Sequence, residues 1–265
     1  MKADVLEKIY EENKKGRDAA LVFLIENKGS TPGEDNSLMA VTSAGKSFGT
    51  IGGGKIEADV IRRCMEGFAK GESFEFDYNL SQNGELKMSC GGDSRGFVKY
   101  FKAANRLVIF GAGHISQKLA RIATKTNFEV TVIDDRSEFR QNPDFSEIKE
   151  YIDAPIEEAV DKIDFDKDKT YIVLCNRGHA YDSQTLRKII DKDFHYLGMI
   201  ASKAKVIRVF KELEEEGYKR EDLEKIYTPI GLDVDNGSVE EIAISIMAEI
   251  LMVKNKKGGE IQKLN

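Results

Sequence analysis

The sequence predicts an α/β protein of two domains: a small N-terminal α+β domain, followed by a Rossmann-like domain with a doubly wound parallel sheet. Its 265 residues are enough for two hydrophobic cores. From Arg106 onward, short apolar strands alternate with helical segments, which is typical of a parallel sheet covered on both faces. Before that point a hairpin-like pair of strands indicates a mixed or antiparallel sheet. We therefore predict domains at residues 1–103 and 104–265.

The first domain is predicted to begin with an amphipathic helix at residues 3–15 and an apolar strand at residues 20–25. Apolar residues at helical spacing after Gly52-Gly53-Gly54 predict a second helix. Further strands are expected at residues 38–42, 47–51, 73–78 and 96–101.

The second domain is predicted to alternate strands and helices along its whole length. Strands are expected at residues 107–110, 129–133, 171–175 and 196–200. Helices are expected at residues 115–125, 156–162, 183–191, 203–216 and 239–253. Ser202 and Ser238 stand where helix N-caps are expected, and Glu241 completes a capping box with Ser238.

Composition and charge describe an ordinary soluble globular protein, with 41% apolar residues, 32% charged residues and a net charge of −6. Lys and Arg alternate with acidic residues, so a basic face for nucleic acid is not expected. No apolar run is long enough to cross a bilayer, and the first residues lack the apolar stretch of a secretory signal. We expect a cytoplasmic protein that contacts no membrane.

The three cysteines include no CxxC pair, so neither a disulfide framework nor a metal site is predicted. Cys64 falls in a helical pattern and Cys175 at the end of an apolar strand, so both are expected to be small core residues. Cys90 differs because two glycines follow it and leave its sulfur accessible. It is the candidate for a chemical role, as a sulfur carrier or a contact for a soft metal. An incidental cysteine in a tight turn is the alternative.

A glycine turn links the first strand of the second domain to its helix. Gly111 permits the tight turn, and Gly113 allows backbone to approach a phosphate at the positive end of the helix. Asp134, at the end of the next strand, lies at the spacing expected for an acid that binds ribose. His114 could donate to the same phosphate, whereas Ser116 replaces the third glycine of the dinucleotide pattern. An ordinary α/β turn without a ligand is the alternative.

Two further groups of residues are candidates for anion binding. Arg177, His179 and Asp182 follow the next strand, and strand ends of a parallel sheet converge on one crevice. For Asp182, a role as N-cap of the helix at residues 183–191 is equally consistent. In the first domain, Gly52, Gly53 and Gly54 can turn their N–H groups toward one anion, or can simply reverse the chain. Glu57 is expected to complement the dipole of the helix that follows.

These motifs together resemble the XdhC/CoxI family over nearly the whole chain. The resemblance is carried by a set of short blocks that run in the family's order: Gly29-Ser30-Thr31-Pro32, Gly49-Thr50-Ile51-Gly52-Gly53-Gly54, Cys90-Gly91-Gly92, Gly111-Ala112-Gly113-His114, Asp134-Asp135-Arg136, Arg177-Gly178-His179 and Pro229-Ile230-Gly231-Leu232-Asp233. Gly33 and Val239 depart from the pattern, which usually has Arg and often Pro at these positions.

The resemblance implies an accessory factor, and a maturation chaperone more than an enzyme. Such a factor binds the molybdenum cofactor (molybdopterin), protects it while a cysteine desulfurase supplies sulfur, and passes it to an apo xanthine dehydrogenase-type hydroxylase. It also implies that the glycine turns hold the cofactor's phosphate and that Cys90 meets its metal end. A homodimer is expected for this role. The alternatives are an NAD(P)-dependent oxidoreductase and a nucleotide sensor without chemistry.

Overall fold

The chain divides into two compact units, Met1–Ala104 and Asn105–Asn265, one residue beyond the predicted boundary. The computed structural model describes residues 2–28, 34–79, 92–234 and 236–258. None of the helices in these ranges combines the length and apolar character that a bilayer crossing requires.

The first unit is an antiparallel sheet with one helix on each face. Its elements are α1 (Lys2–Lys14), β1 (Ala19–Lys28), β2 (Leu38–Thr42), β3 (Ser47–Gly49), α2 (Gly54–Gly67), β4 (Phe74–Asn79) and β5 (Asp93–Phe101). The strand order is β3-β2-β1-β5-β4, with antiparallel pairing throughout. This confirms the predicted small α+β domain.

Residues that alternate along β1 supply both cores of the first unit, because successive side chains of a strand point to opposite faces. Ala20, Val22 and Leu24 pack in the cluster that contains the apolar face of α2. Ala19 packs on the other face with Val5 and Ile9 of α1. The glycine run at residues 52–54 therefore lies at the start of a helix that is fixed on the sheet.

The second unit is a five-stranded parallel sheet with helices on both faces. Its elements are β6 (Asn105–Phe110), α3 (His114–Thr124), β7 (Phe128–Ile133), β8 (Glu150–Ile152), α4 (Ile156–Val160), β9 (Thr170–Leu174), α5 (His179–Ile189), β10 (Tyr196–Met199), α6 (Lys203–Glu215), α7 (Arg220–Leu223) and α8 (Val239–Asn255). The order β10-β9-β6-β7-β8 is that of a doubly wound sheet, which confirms the predicted fold class.

Each face of this sheet has its own core. Leu119 of α3 and Ile246 of α8 belong to one cluster, whereas Leu186 of α5 and Val209 of α6 belong to the other. Because the connection after β6 runs through α3 on one face and the connection after β9 runs through α5 on the other, a crevice opens beyond the carboxyl ends of β6 and β9. The candidate site lies at this switch point.

Several predicted boundaries need correction. Strand β8 and helix α7 are not predicted, and α5 begins at His179, four residues before the predicted start at Ser183. The predicted N-caps of the later helices are confirmed: Ser202 accepts from the Lys205 N–H, and Ser238 accepts from the Glu241 N–H. The Glu241 carboxylate, however, accepts from the Asn236 N–H at 2.9 Å, whereas the predicted capping box would pair it with the Ser238 N–H.

Candidate functional site

Two clefts open at the carboxyl edge of the parallel sheet. Cleft A has a volume of about 350 Å³ and is lined by residues that include Gly111, Asp134, Asp135, Pro155, Ile156, Asn176, Arg177 and Tyr181. Cleft B has a volume of about 250 Å³ and is lined by Gly113, His114, Ile115, Ser116, Cys175, Asn176, Ile200 and Val239. The structure thus brings Gly111, Asp134 and Arg177 together in one cleft, and Gly113 and His114 in the other.

Gly111 is required by the backbone itself. Its φ is +100°, in the region that side chains rarely adopt, and its N–H donates to the Ile133 carbonyl oxygen at 2.8 Å. A Cβ at this position would lie 2.4 Å from the carbonyl oxygen of Cys175. The tight turn therefore depends on glycine whether or not a ligand is bound.

Gly113 differs, because its surroundings are open. It is the N-cap of α3, its φ is an ordinary −67°, and a Cβ built on it would meet no atom within 4 Å. The first N–H groups of a helix have no acceptor within the helix, and a glycine N-cap supplies none from a side chain. The positive end of α3 is therefore accessible beside cleft B, as an anion site requires.

Asp134 is already saturated by donors of the chain. Its carboxylate accepts from the N–H of Ala112 at 2.7 Å and from the N–H of Arg136 at 3.0 Å. The Arg136 guanidinium adds bonds from Nε at 2.7 Å and from Nη2 at 2.6 Å. Since a carboxylate has about four acceptor positions, little capacity is left for the hydroxyls of a ribose.

The environment of Asp134 also keeps it ionised. Burial acts to raise the pKa of its carboxyl, but the hydrogen bonds from Arg136 and from the Ala112 amide outweigh burial and hold the pKa below its ordinary value. In this structure Asp134 ties the glycine turn to the strand that follows it.

Arg177 extends along the wall of cleft A. Its Nη2 lies 2.9 Å from a carboxylate oxygen of Asp135, and its guanidinium lies 4.5 Å from the ring centre of Tyr181. Its side chain is partly exposed, so it remains the cation of cleft A that a solvent anion can reach. The side chain of His179 lies outside the described part of the structure.

Asp182 is a buried residue that forms an ion pair within the fold, and the predicted alternative that it is the N-cap of α5 is wrong. Helix α5 begins at His179 with Gly178 as its N-cap, so Asp182 lies inside the first turn. It is fully buried, accepts from Asn176 at 3.1 Å and forms an ion pair with Lys205. Lys205 also donates to the Ile200 carbonyl oxygen at 3.3 Å, so this pair links the first turns of α5 and α6 to the loop after β10.

The two described cysteines occupy different environments. Cys64 is fully buried in the core of the first unit, as predicted, and burial raises the pKa of its thiol to about 12. Cys175 packs against the core of the second unit, as predicted, but it is only partly buried and also lines cleft B. Cys90 lies outside the described residues.

The glycine run of the first unit is occupied by the chain's own groups. The Glu57 carboxylate accepts from the N–H of Ile51 at 3.0 Å and of Gly53 at 2.7 Å, and the Thr50 hydroxyl also donates to it. The N–H of Gly52 donates to the Thr50 hydroxyl at 3.1 Å. Gly52, Gly53 and Gly54 all have positive φ, as expected for a chain reversal. Binding of an anion here would have to displace Glu57.

Sequence reasoning missed three residues that shape the crevice, namely Ser116, Asn176 and Lys205. In the sequence, Ser116 stands out only as a departure from a glycine pattern. Asn176 is the second residue after strand β9, so the rule that strand ends converge is sufficient to find it. Lys205 meets Asp182 only through the folding of α6 onto α5, which no local signal reveals.

Two family models match this chain. One, described as the XdhC Rossmann domain, covers residues 107–250, and the other, described as the XdhC and CoxI family, covers residues 13–79. The chain belongs to the XdhC and CoxI family. The matched segments contain both the glycine turn of the second unit and the glycine run of the first.

Two curated relatives match more than half of the chain. The chain is 30% identical over 243 residues to the uncharacterized protein YqeB of Escherichia coli, covering 91% of this chain and 44% of YqeB. It is 25% identical over 160 residues to a probable xanthine dehydrogenase subunit of Bacillus subtilis, covering 60% of this chain and 46% of that protein. The chain thus spans under half the length of these two relatives.

A third relative and one solved structure match over most of the chain. The molybdenum cofactor insertion chaperone PaoD of Escherichia coli is 20% identical over 290 residues, covering 90% of this chain and 84% of PaoD. A crystal structure from Bacillus halodurans, titled as a xanthine dehydrogenase, superposes with a TM-score of 0.53 and 17% identity over 96% of both chains. At that identity the structure supports the fold alone.

Proposed function

We propose that this protein is an accessory factor that binds the molybdenum cofactor, supports its sulfuration and delivers it to a xanthine dehydrogenase-type hydroxylase. One observation carries the proposal: the chain belongs to the XdhC and CoxI family, and a relative aligned over 90% of this chain is a molybdenum cofactor insertion chaperone. A cysteine desulfurase and the apo hydroxylase are the partners that this role requires, and a homodimer is part of the proposal.

The crevice of the second unit suits a phosphorylated ligand. The start of α3 presents N–H groups at a glycine N-cap, and the missing Cβ of Gly113 leaves room for a phosphate to approach the backbone. Cleft A, with a volume of about 350 Å³, reaches the size of small-molecule pockets, whereas cleft B is smaller, at about 250 Å³. In this proposal the chain binds and shields the molybdenum cofactor, and the hydroxylase that receives the cofactor carries out the catalysis.

Retention of the cofactor is the direct test. Protein purified from a molybdenum-replete host should release a pterin that becomes fluorescent after oxidation. Gly113→Val should abolish this signal, because valine would fill the space that the phosphate needs. Gly178→Val is the matched control: Gly178 is also a helix N-cap with open space around it, but it lines neither cleft. Wild-type protein without bound pterin would contradict the proposal.

Cys90 is proposed as the soft contact for the metal end of the cofactor. Cys90→Ser should leave the thermal transition of the protein unchanged and should lower the yield of sulfurated, active hydroxylase. Cys64→Ala is the control, since Cys64 is buried in the core and has no access to a ligand. An unchanged yield with Cys90→Ser would remove this residue from the proposal.

An NAD(P)-dependent oxidoreductase is the second candidate, and the glycine turn after β6 favours it. The saturation of Asp134 counts against it, because nicotinamide dinucleotides would need this carboxylate for ribose. Calorimetric titration with NAD and NADP separates the two candidates. Tight binding together with turnover of a small substrate would favour the oxidoreductase.

A further inference from the structure

Cleft B contains an unusual buried group. The hydroxyl of Ser116 is fully buried and has no oxygen or nitrogen partner within hydrogen-bond distance in the described structure. A buried hydroxyl without such a partner is unfavourable, and such groups are rare in folded proteins. Ser116 also lines cleft B, so a ligand in that cleft can supply the missing partner.

We propose that cleft B is an oxyanion site, in which the Ser116 hydroxyl and the first N–H groups of α3 donate to one tetrahedral anion beside Cys175. The inference rests on the proposed function and deepens it by naming the donors and the chemical class that they bind. The anion is either a phosphate group or a molybdate-type oxyanion, since both offer oxygen acceptors in the same tetrahedral arrangement.

Ser116 is a hydrogen-bond donor near the N-terminus of α3, the end of the helix that favours an anion. α3 is 11 residues long, and Ser116 lies in its first turn, where the helix dipole favours negative charge. Gly113, His114 and Ile115 line the same cleft and contribute the adjoining backbone. The Ala112 amide is not among these donors, because Asp134 accepts from it.

The charges around cleft B do not oppose an anion. Burial raises the pKa of the Cys175 thiol to about 12, whereas the nearby Ser116 hydroxyl acts to lower it, so the thiol is neutral at physiological pH. A neutral thiol is a weak acceptor, so this neighbour leaves the Ser116 hydroxyl available to an anion. Asp182 and Lys205 also act on Cys175, in opposite directions, and they form an ion pair with each other. The described residues around cleft B therefore place no uncompensated negative charge there that would repel an anion.

Substitution of Ser116 tests the site directly. Purified protein is titrated by calorimetry with inorganic molybdate and, separately, with inorganic phosphate. Ser116→Ala should weaken binding at least about tenfold, since a hydrogen bond to a charged group is lost. The same variant should not lower the thermal transition of the ligand-free protein, because the hydroxyl that it removes has only the weakly accepting Cys175 thiol as a neighbour. Ser245→Ala is the matched control: that hydroxyl is buried too, but it donates to the Ile242 carbonyl oxygen at 2.9 Å.

Amide hydrogen exchange reports where the anion binds. Saturating anion should slow exchange in the first turn of α3, measured by peptide mass spectrometry, in wild-type protein but not in Ser116→Ala. Equal affinity of wild type and Ser116→Ala, or exchange in this turn that the anion leaves unchanged, would overturn the inference. The response to molybdate or to phosphate identifies which of the two anions the site prefers.

The outcomes also separate this inference from the proposed function. If pterin is retained but neither anion binds in a manner that depends on Ser116, the oxyanion site is wrong and the accessory role stands. If the anion binds through Ser116 but no pterin is retained, the site stands and the accessory role fails.

Discussion

Replacement of Gly111 by alanine should destabilise the second unit even in the absence of any ligand. The new Cβ would lie 2.4 Å from the carbonyl oxygen and 2.8 Å from the carbonyl carbon of Cys175, both of them backbone atoms that cannot rotate away. The residue would also have to keep a φ of +100°. Two separate penalties therefore apply at one position.

The size of the effect follows from these two penalties. A side chain in the left-handed region costs about 1 to 2 kcal/mol. Overpacking against a close-packed neighbour adds about 1 to 3 kcal/mol. Together they amount to about 3 kcal/mol, which for a domain of this size lowers the melting temperature by roughly 6 to 12 °C.

The assay is differential scanning calorimetry of the full chain, with Gly113→Ala as the matched control. Gly113 has an ordinary φ and open space around it, so alanine there should change stability by less than about 1 kcal/mol, since the gain from a stiffer unfolded chain is opposed by the poorer N-cap that alanine makes. Equal melting temperatures of Gly111→Ala and Gly113→Ala would refute the conclusion that the backbone requires glycine at position 111 but not at position 113.

Three further predictions concern charged groups. Glu57→Ala should lower the stability of the first unit by about 1 to 3 kcal/mol in urea denaturation, because two backbone amides lose their acceptor; no loss would show that water replaces the carboxylate. The pKa of Asp134 is held below its ordinary value of 3.8, so its contribution to stability is present above that pH and is lost as the pH falls through the lowered pKa. Asp134→Asn should remove this part of the acid sensitivity, which unfolding curves between pH 2 and about pH 5 would test; an unchanged pH profile would contradict it. Lys205→Met should destabilise the second unit by about 3 to 5 kcal/mol, since Asp182 would remain buried and charged, and addition of Asp182→Asn should recover much of the loss; no recovery in the double variant would show that the ion pair is not the cause.

Most of the fold was predictable because the hydrophobic period changes along the chain. Five-residue runs such as Thr170–Leu174 are buried at every position, which is the pattern of a strand covered on both faces. Strand β8 was not predicted because only Glu150–Ile152 pair with β7, and three residues are too few to show an alternation of apolar and polar side chains. The start of α5 escaped because its N-cap is Gly178, whereas Asp182 and Ser183 resemble the usual caps.

The candidate site was predictable only where it depends on strand ends. Gly111, Asp134 and Arg177 follow three neighbouring parallel strands, so their convergence in cleft A follows from the fold class. The state of each group did not follow: saturation of Asp134 by Arg136 requires a side-chain conformation that no pattern encodes. Ser116 likewise has meaning only once its burial and missing partner are known.

Among the described residues that line the two clefts, Asn176 is the one that borders both. Its amide nitrogen donates to Asp182 at 3.1 Å and to the Thr185 hydroxyl at 3.2 Å, so it forms a wall that is fastened at two points. Because two hydrogen bonds hold this amide in place, a ligand that reached from one cleft into the other would meet a fixed side chain at Asn176.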